Sequence, residues 1–517
     1  PHHCIDNPEV VKFLQELIEL NATKDELLFS IGCYLTRGNS NSALKRFKSE
    51  YNLDLLKIQN IPDNSFDLLG SAYQYLNSKK ENLKQGSFYT GEQISLDFVS
   101  DLDFSSNQTI FDPSCGSGAF LFRSNALENQ IIGVDSDPIA IMIAKFNYFI
   151  KFPNAKAPNL FCIDFFDWVS QNPDKKFSYI VGNPPYGANL DISKMRESCV
   201  TSGESFSYFI ESGYKMVERD GVLRFLVPEA LLNVKRHSDI RGFILDHTNL
   251  RRIKRYSNKF AGVMSDVYLI EIDRGLCDHV VFEVEERLDI SKSVFRNLKN
   301  QIFVPLNETD LRIVNKVKLN ERFNLANSTF GLGVVTGDNK SKLFTKKVAG
   351  SEHIYTGKEV QKYSLSGPKN FLFFDRDALQ QVAPDFIYRT RQKLVYKTIN
   401  KRLKFALDES ESLTSNSANI LIPDIPGYEI ETVLAFLNSD IYSYLYMVLF
   451  GFVNKVGKEH LMALPFPALS EEENEMIKQE CRQVIATGND HKLQMFIHEG
   501  VFKLLPSEVE YIREKIA

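Results

Sequence analysis

The 517-residue sequence lacks several features that mark common functional classes. No apolar run reaches the roughly 18 to 20 residues that a membrane-spanning helix needs, and the first residues carry no apolar signal segment. The seven cysteines include no Cys-x-x-Cys pair and no Cys/His spacing typical of metal ligands. We therefore expect no membrane partner and no metal, and reduced thiols are typical of a cytoplasmic location.

Strong positive charge is also missing, because the formal net charge is −5. A protein with this balance has no general attraction for nucleic acid, so any such contact must come from local basic clusters. Hydrophobic content of 43% and charged content of 25% are ordinary for a globular protein. The length is sufficient for roughly two to four domains.

The most informative stretch is Asn183-Pro184-Pro185-Tyr186, which follows the apolar residues Phe177, Tyr179, Ile180 and Val181 and a glycine. This pattern predicts a buried strand that stops abruptly, and ligands bind at the carboxyl ends of parallel strands. Asn183 offers a side-chain carbonyl and Pro184 a main-chain carbonyl, and two acceptors on one conjugated NH2 group favour its nucleophilic, pyramidal form. Tyr186 offers a flat face to a planar base. The alternative is a plain strand end with an aromatic plug, so the neighbouring motifs decide.

Three further short strands precede this motif, and each ends in a group that suits a nucleotide-like ligand. Residues 109–112 lead into a glycine turn, PSCGSG, where backbone N–H groups can approach a ligand closely. The next strand ends at Asp135, where a ribose diol would bind, and the third is followed by Asp164 and Phe165, which suit an adenine ring. Each acid alone could be a helix cap, but four such strand ends at one sheet edge predict a cofactor site. The turn is not GxGxxG, which disfavours a nicotinamide cofactor.

The segments GSFYT, FDPSCGSGAFL, IIGVDSDP, IDFFDW and VGNPPY, in this order and spacing, resemble the motif series of the gamma-class (TaqI-like) adenine-N6 DNA methyltransferases of restriction-modification systems. The resemblance covers residues 85–285. It implies an α/β fold with a Rossmann-like methyltransferase sheet, mostly parallel with a terminal antiparallel hairpin at 267–272 and 280–284, plus an N-terminal helical region and a C-terminal α+β target recognition domain. Gly91 stands where the family often has proline, which leaves the geometry of the first loop open.

The resemblance also implies a set of site residues. S-adenosyl-L-methionine would be held by Tyr89, Thr90, Asp112, Ser114, Gly116, Gly118, Asp135, Ser136, Asp164 and Phe165. The flipped adenine would be held by Asn183, Pro184, Pro185 and Tyr186, and Phe260 matches the aromatic that covers the second face of the base. A core position is the alternative interpretation of Phe260.

Basic clusters among aromatic residues predict where DNA would be contacted. One cluster lies in residues 235–259 and includes Arg251 and Arg252; another, in residues 388–404, includes Arg389, Arg391 and Lys393. Lys340 follows a glycine-rich stretch at 331–337 that is similar to part of the TaqI-like recognition domain. A solvated surface is the competing interpretation of both clusters.

These patterns predict three regions. Residues 1–84 form a helical region, in which Leu68, Leu69 and Tyr73 recur at helical spacing. Residues 85–320 form the catalytic domain, and residues 321–517 form the recognition domain with closing helices. We expect a monomeric DNA adenine-N6 methyltransferase that acts on double-stranded DNA; a separate restriction endonuclease as a further partner is left open. The alternatives are a methyltransferase for an RNA base or a protein glutamine amide, and a DNA-recognition subunit without catalysis.

Overall fold

The computed structural model describes residues 8–20, 22–62, 67–77, 90–105, 107–188, 190–195, 198–256, 266–284, 287–297, 302–450 and 456–517. The chain divides into two compact units, Pro1–Pro305 and Leu306–Ala517. Among the described residues, no single helix is both long enough and apolar enough to cross a bilayer, although the bent pair Ile430–Leu437 and Asp440–Phe450 meets both criteria when taken together.

The first unit is an α/β structure built on one large sheet. Its helices are α1 (Pro8–Ile18), α2 (Lys24–Leu35), α3 (Ser42–Ser49), α4 (Leu68–Leu76), α5 (Glu92–Val99), α6 (Ala119–Arg123), α7 (Pro138–Lys151), α8 (Phe165–Gln171), α9 (Ser205–Lys215), α10 (Ala230–Asn233), α11 (Ser238–His247) and α12 (Lys292–Asn297). Its strands are β1 (Ile110–Asp112), β2 (Ile131–Asp135), β3 (Asn159–Cys162), β4 (Phe177–Gly182), β5 (Val217–Pro228), β6 (Asn249–Tyr256), β7 (Val267–Asp273), β8 (His279–Glu283) and β9 (Arg287–Ser291).

The nine strands follow the order β3-β2-β1-β4-β5-β7-β6-β8-β9. Strands β1 to β5 pair in parallel, so that Asp112 is opposite Gly133 and Ile110 is opposite Tyr179. The carboxyl ends of β1 to β4 therefore meet at one edge, as the sequence predicts. This edge positions all four of the predicted ligand groups together.

The predicted terminal hairpin is wrong in its pairing. Strand β7 pairs antiparallel with β5 on one side and with β6 on the other. A strand has only two edges for hydrogen bonds, so β8 cannot pair with β7. It lies instead beside β6, in parallel, and makes its antiparallel hairpin with β9.

The N-terminal helices share a hydrophobic core with the sheet. Helix α2 begins with a capping box in which Thr23 accepts from the backbone N–H of Glu26. It packs so closely on α7 that a Cβ on Gly32 would lie 2.4 Å from the ring of Phe146. Apolar residues of α1, α2 and α4 are buried together with residues of β1, β2 and α7 in one cluster, so the helical region and the catalytic sheet stabilise each other.

The second unit contains three small sheets and a group of helices. Its strands are β10 (Glu321–Phe323), β11 (Thr329–Gly331), β12 (Glu352–Tyr355), β13 (Asn370–Leu372), β14 (Lys393–Lys397), β15 (Phe405–Asp408), β16 (Leu413–Thr414), β17 (Ala418–Ile422) and β18 (Phe466–Pro467). Its helices are α13 (Glu308–Leu319), α14 (Asn339–Lys342), α15 (Asp385–Arg389), α16 (Ile430–Leu437), α17 (Asp440–Phe450), α18 (Lys458–Met462), α19 (Glu471–Thr487), α20 (His491–Met495) and α21 (Pro506–Ile516), with a π-helix at Phe496–Val501. The sheets follow the orders β11-β17-β14-β15, β13-β12-β16 and β10-β18.

Helix α13 joins the second unit although composition alone places the domain boundary at 320. Asn307 caps the helix by accepting from the N–H of Asp310. Near the C-terminal end of the unit's sequence, the buried carboxylate of Glu508 on α21 accepts from Arg312 at 3.1 Å and from Lys316 at 2.7 Å. These long-range contacts place α13 with the C-terminal helices, and they are invisible in the local composition.

Candidate active site

The ends of β1 to β4 and the loops after them surround a cavity of about 380 Å³ in the first unit. A cavity of this size is typical of a small-molecule or cofactor site. Of the residues expected to bind S-adenosyl-L-methionine or adenine, the cavity is lined by Thr90, Asp112, Ser114, Gly116, Asp135, Ser136, Asp164, Phe165, Asn183 and Pro185. The predicted motifs are thus brought together by the fold.

The glycine turn after β1 forms one wall of the cavity. Gly116 has φ +52°, and a Cβ at this position would meet no atom within 4 Å, so the backbone is open to a ligand. Gly118 has φ +86°, and its missing Cβ makes room for the ring of Phe122. Among the described residues Gly118 does not line the cavity; its contribution is to the shape of the turn.

Asp112, the last residue of β1, is buried with one carboxylate oxygen unpaired. Its Oδ1 accepts from the N–H of Ser114 at 3.0 Å, whereas its buried Oδ2 has no hydrogen-bond partner among the described residues. Burial raises the pKa of Asp112 well above its ordinary value. A buried unpaired carboxylate oxygen is costly, so this atom fits a ligand that brings a hydrogen-bond donor, such as an ammonium group.

Asp135, at the end of β2, is held by two backbone N–H groups. Gly116 donates to its Oδ2 at 2.8 Å and Asp137 donates to its Oδ1 at 2.9 Å. Burial nevertheless raises the pKa of Asp135 to about 6. The carboxylate lies at the cavity wall with lone pairs left for a further donor, because each carboxylate oxygen can accept more than one hydrogen bond.

Asp164 and Phe165 close the cavity after β3. Asp164 caps α8 by accepting from the N–H groups of Phe166 and Asp167 at 3.1 and 3.2 Å. Lys194, from the loop after the Asn-Pro-Pro-Tyr motif, lies 3.4 Å from Asp164 and 2.7 Å from Asp167. The cap and the cofactor interpretations of Asp164 are therefore compatible, since the capping carboxylate also faces the cavity.

The Asn183 amide is oriented by its neighbours on both sides. The hydroxyl of Tyr186 donates to Asn183 Oδ1 at 2.7 Å and lies 3.1 Å from the Leu226 carbonyl of β5. The Asn183 Nδ2 group lies 3.5 Å from Thr90 Oγ1. A carbonyl oxygen has two lone pairs, so the hydrogen bond from Tyr186 alone does not exhaust the acceptor capacity of Asn183 Oδ1.

Main-chain groups around the motif are held by side chains from other segments. Ser114 Oγ donates to the Asn183 carbonyl at 3.3 Å, and the buried Ser205 hydroxyl donates to the Pro185 carbonyl. Glu204 accepts from the N–H of Gly187 at 2.6 Å, and Ser205 accepts from the N–H of Ala188 at 3.3 Å. Within the described part of the chain, no hydrogen bond involves the Pro184 carbonyl, which leaves this acceptor available beside the Asn183 amide.

Two expected site residues cannot be placed. Tyr89, from the first loop motif, and Phe260, proposed for the second face of the base, both lie outside the described residues. The end of that loop motif is described at Thr90, which is buried and lines the cavity.

Three of the cavity-lining residues that the sequence analysis missed come from helix α4. Gly70, Tyr73 and Gln74 line the cavity together with residues of the catalytic motifs. The helical spacing of the apolar residues predicts α4 itself, but nothing in that pattern indicates which of its polar residues face a ligand. The only local signal is Asp67, which caps the helix by accepting from the N–H of Gly70 at 2.9 Å.

Several cations of the basic cluster at 235–259 are paired within the first unit, and contact of Arg251 and Arg252 with DNA stays a prediction. Arg252 lies 2.9 Å from Glu271 on β7, and Arg251 lies 3.3 Å from Asp273 on the same strand. Arg241 is fully buried and donates to the Leu231 and Val234 carbonyls. Residues 235–259 contain few acids, and Arg251 and Arg252 of this segment are paired instead with acids of β7.

The cluster at 388–404 needs a second correction. Lys393 is fully buried on β14, where it forms an ion pair of 2.7 Å with the equally buried Asp408, so it cannot contact a phosphate. Arg389 makes two hydrogen bonds to Glu352, at 2.6 and 2.9 Å. Arg391 and Lys340 are exposed, and their DNA contact stays a prediction.

Each of the two units contains a segment that matches a known protein family. Residues 129–261 match the family described as Eco57I restriction-modification methylase, and residues 352–466 match the TaqI-like C-terminal specificity domain. The chain is 26% identical to the Type II methyltransferase M.VspI of Vibrio sp. (strain 343), over 66% of this chain and 86% of the relative. It is also 26% identical to the Type II methyltransferase M.CvrRI of Paramecium bursaria Chlorella virus XZ-6E, over 53% and 68% of the two chains.

A solved structure shares the fold. The Type IIL restriction-modification enzyme MmeI, in complex with DNA, covers 98% of this chain and 89% of its own with a TM-score of 0.61, at 13% identity. The first unit thus matches a restriction-modification methylase family and the second a TaqI-like specificity domain, so the chain is similar to the DNA methyltransferases of restriction-modification systems.

Proposed function

We propose that the protein transfers a methyl group from S-adenosyl-L-methionine to the N6 amino group of adenine in duplex DNA, after the base has left the helix. The observation that carries this proposal is the pair of neighbouring acceptors at the end of β4. Asn183 Oδ1 is oriented by Tyr186, and the Pro184 carbonyl accepts no hydrogen bond within the described part of the chain.

An aromatic amine has two hydrogens and a delocalised lone pair, so it is a weak nucleophile. Two acceptors held in place before the base arrives can bind both hydrogens without reorganisation and localise the lone pair on nitrogen. Adenine in a duplex cannot reach such a site, because its amino group is paired and stacked, so the base must flip outward. The Tyr186 ring lies next to the acceptors and would stack on the base.

The cavity at the same edge fits the cofactor. Asp112 Oδ2 is a buried acceptor without a donor among the described residues, which suits the ammonium group of a methionine moiety. Asp135 would accept from ribose hydroxyls, and Asp164 with Phe165 would bind the adenine ring. When bound, S-adenosyl-L-methionine supplies a methyl group on a positively charged sulfur, an electrophile that needs no metal.

Methyl transfer to DNA tests the proposal directly. The protein is incubated with S-adenosyl-L-methionine and mixed-sequence duplex DNA, the product is digested to nucleosides, and N6-methyl-2′-deoxyadenosine is measured by mass spectrometry. We expect methylated adenine in DNA and none in RNA or protein. Methylation of a different base, or of RNA or protein in place of DNA, would overturn the assignment.

Asn183→Ala tests the residue assignment. Loss of a preorganised polar partner lowers turnover by about two to three orders of magnitude, whereas binding of S-adenosylhomocysteine is retained. Asn172→Ala is the matched control, because Asn172 precedes β4 at the opposite edge of the sheet and bonds only the Trp168 carbonyl through its side chain. Near-parental turnover in Asn183→Ala would exclude the amide as an acceptor for the target amine.

A further inference from the structure

Helix α4 reaches the cofactor cavity from the N-terminal helical region. Gly70, Tyr73 and Gln74 all line the cavity, although they precede the first loop motif of the catalytic domain. Tyr73 and Gln74 are half-buried, so both side chains keep exposed surface. An amide and a phenol together can donate and accept, which suits the polar groups of S-adenosyl-L-methionine.

A chain of hydrogen bonds connects α4 to the ends of β1 and β2. The Tyr73 hydroxyl donates to Asp137 Oδ2, and the Asp137 N–H donates to Asp135 Oδ1 at 2.9 Å. The other oxygen of Asp135 accepts from Gly116 in the glycine turn, at 2.8 Å. Tyr73 is thus two hydrogen bonds away from the carboxylate that is expected to bind the ribose.

A second connection runs from the start of α4 to Ser117 in the glycine turn. Asp67, in the left-handed conformation with φ 44°, accepts from the Ser117 hydroxyl and from Asn147 Nδ2, the latter at 2.8 Å. Asn147 Nδ2 also bonds the Ser117 carbonyl at 3.0 Å. Burial raises the pKa of Asp67, but the three hydrogen bonds that it accepts stabilise its ionised form.

We propose that the N-terminal helical region is part of the cofactor site: Tyr73 and Gln74 contact S-adenosyl-L-methionine, and Asp67 positions the glycine turn. This inference rests on the proposed cofactor. It assigns a function to a region that otherwise has only a packing role, and it adds two binding residues to those of the catalytic motifs.

Gln74→Ala tests the binding role in the full-length protein, with S-adenosylhomocysteine as the calorimetric probe. Loss of one hydrogen bond to the ligand weakens binding about fivefold to tenfold. Gln15→Ala is the matched control, because Gln15 is an exposed glutamine on α1 of the same helical region. Tyr73→Phe, which keeps the ring, should weaken binding in the same direction.

Kinetics separates a cofactor contact from a general structural effect. In Gln74→Ala the KM for S-adenosyl-L-methionine rises by the same factor as the dissociation constant, whereas kcat at saturating cofactor stays within about twofold of the parent. Parental affinity in both Gln74→Ala and Tyr73→Phe would overturn the inference while leaving the proposed function intact. No binding of the probe to the parent protein would overturn the proposed cofactor, and this inference with it.

Discussion

Two carboxylates at the cavity, Asp112 and Asp135, differ in how their oxygens are paired. Both oxygens of Asp135 accept backbone N–H groups, whereas Asp112 keeps one buried oxygen without a partner among the described residues. Burial raises the pKa of both, that of Asp135 to about 6. Asp135 therefore changes charge within the range of pH in which the protein can be studied.

The affinity for cofactor should depend on pH through Asp135. Ribose hydroxyls donate to the ionised carboxylate, so binding of S-adenosylhomocysteine should strengthen as pH rises through about 6 and level off above pH 7. Calorimetry between pH 5 and 8 measures the profile, and Asp135→Asn should remove this rise while lowering affinity at pH 8. If Asp135→Asn keeps the parental profile, another group carries the titration.

Folding stability should change with pH in the opposite direction. The pKa of Asp135 is higher in the folded state, about 6, than the ordinary value of 3.8. Its contribution to the free energy of unfolding is therefore fully present below about pH 4 and is lost as pH rises through about 6. Ligand affinity and stability thus follow opposite trends because the ligand and the fold favour different protonation states of one group.

Cavity residues that lie at strand ends or in the glycine turn could be predicted from the sequence. Asp112, Gly116 and Asp135 lie where the motif pattern places them. The bond from Tyr186 to Asn183 could not be predicted, because the hydroxyl is also fixed by the Leu226 carbonyl on a strand 40 residues away in sequence. Lys393 was misassigned since the sequence does not reveal that Asp408 lies beside it on β15.

At the level of elements, the start of α9 holds the loop that follows the Asn-Pro-Pro-Tyr motif. The Ser205 hydroxyl donates to the Pro185 carbonyl and accepts from the Ala188 N–H at 3.3 Å. These contacts hold the main chain at Pro185 and Ala188, next to the Pro184 carbonyl, which accepts no hydrogen bond within the described part of the chain. Ser207, two residues farther along α9, is equally buried, but its hydroxyl has no partner among the described residues.

Ser205→Ala should slow catalysis more than it destabilises the fold. With two main-chain groups released, we expect kcat to fall roughly tenfold, which corresponds to about 1.4 kcal/mol, with little change in the KM for cofactor. Ser205→Thr, which keeps the hydroxyl, should recover most of the activity. Ser207→Ala is the control for burial and helix position, and equal kcat values in the two alanine variants would contradict the positioning role.

Strand pairing explains which elements the sequence could not place. The first four strands pair in parallel, and each is found where it was predicted. Strand β7 was predicted to pair with β8, the next strand in the sequence. It pairs instead with β5 and β6, because strand pairing and its register are not decided by proximity in sequence. The same strand supplies Glu271 and Asp273, which pair with arginines of β6.

At the scale of the whole molecule, the surface that contacts DNA must be sought among cations that remain exposed. Residues 339–351 contain four lysines and no acid. Lys342 is bound to the Thr336 carbonyl at 2.8 Å, whereas Lys340, Lys346 and Lys347 are exposed. This stretch is a better candidate for phosphate contact than the cluster that contains Lys393.

Joint replacement of Lys340, Lys346 and Lys347 by Ala should weaken binding to every duplex. Each lysine that neutralises a phosphate contributes about 0.9 to the slope of log affinity against log salt, so the slope of the triple variant should be smaller by about 2.7. Fluorescence anisotropy at several salt concentrations measures this slope. A slope equal to that of the parent would show that the stretch is a solvated surface.

Lys393→Met is the contrasting variant for that experiment. It leaves the buried Asp408 without its ion partner, which costs about 3 to 5 kcal/mol of stability. We therefore expect a lower urea midpoint but, in the fraction that remains folded, an unchanged salt slope. Comparing the two variants distinguishes a loss of phosphate contacts from a loss of folding stability.

Because α2 and α4 pack on α7, part of their apolar surface can be buried only after the ribosome has synthesised α7. Residues such as Leu69 and Ala72 are buried in a cluster shared with α7, and about 60 residues separate the end of α4 from the start of α7. At roughly 5 to 20 residues per second, translation of this interval takes about 3 to 12 s. During that time the newborn helices expose apolar faces that have no partner yet, so this stretch of the nascent chain is where a chaperone is most needed.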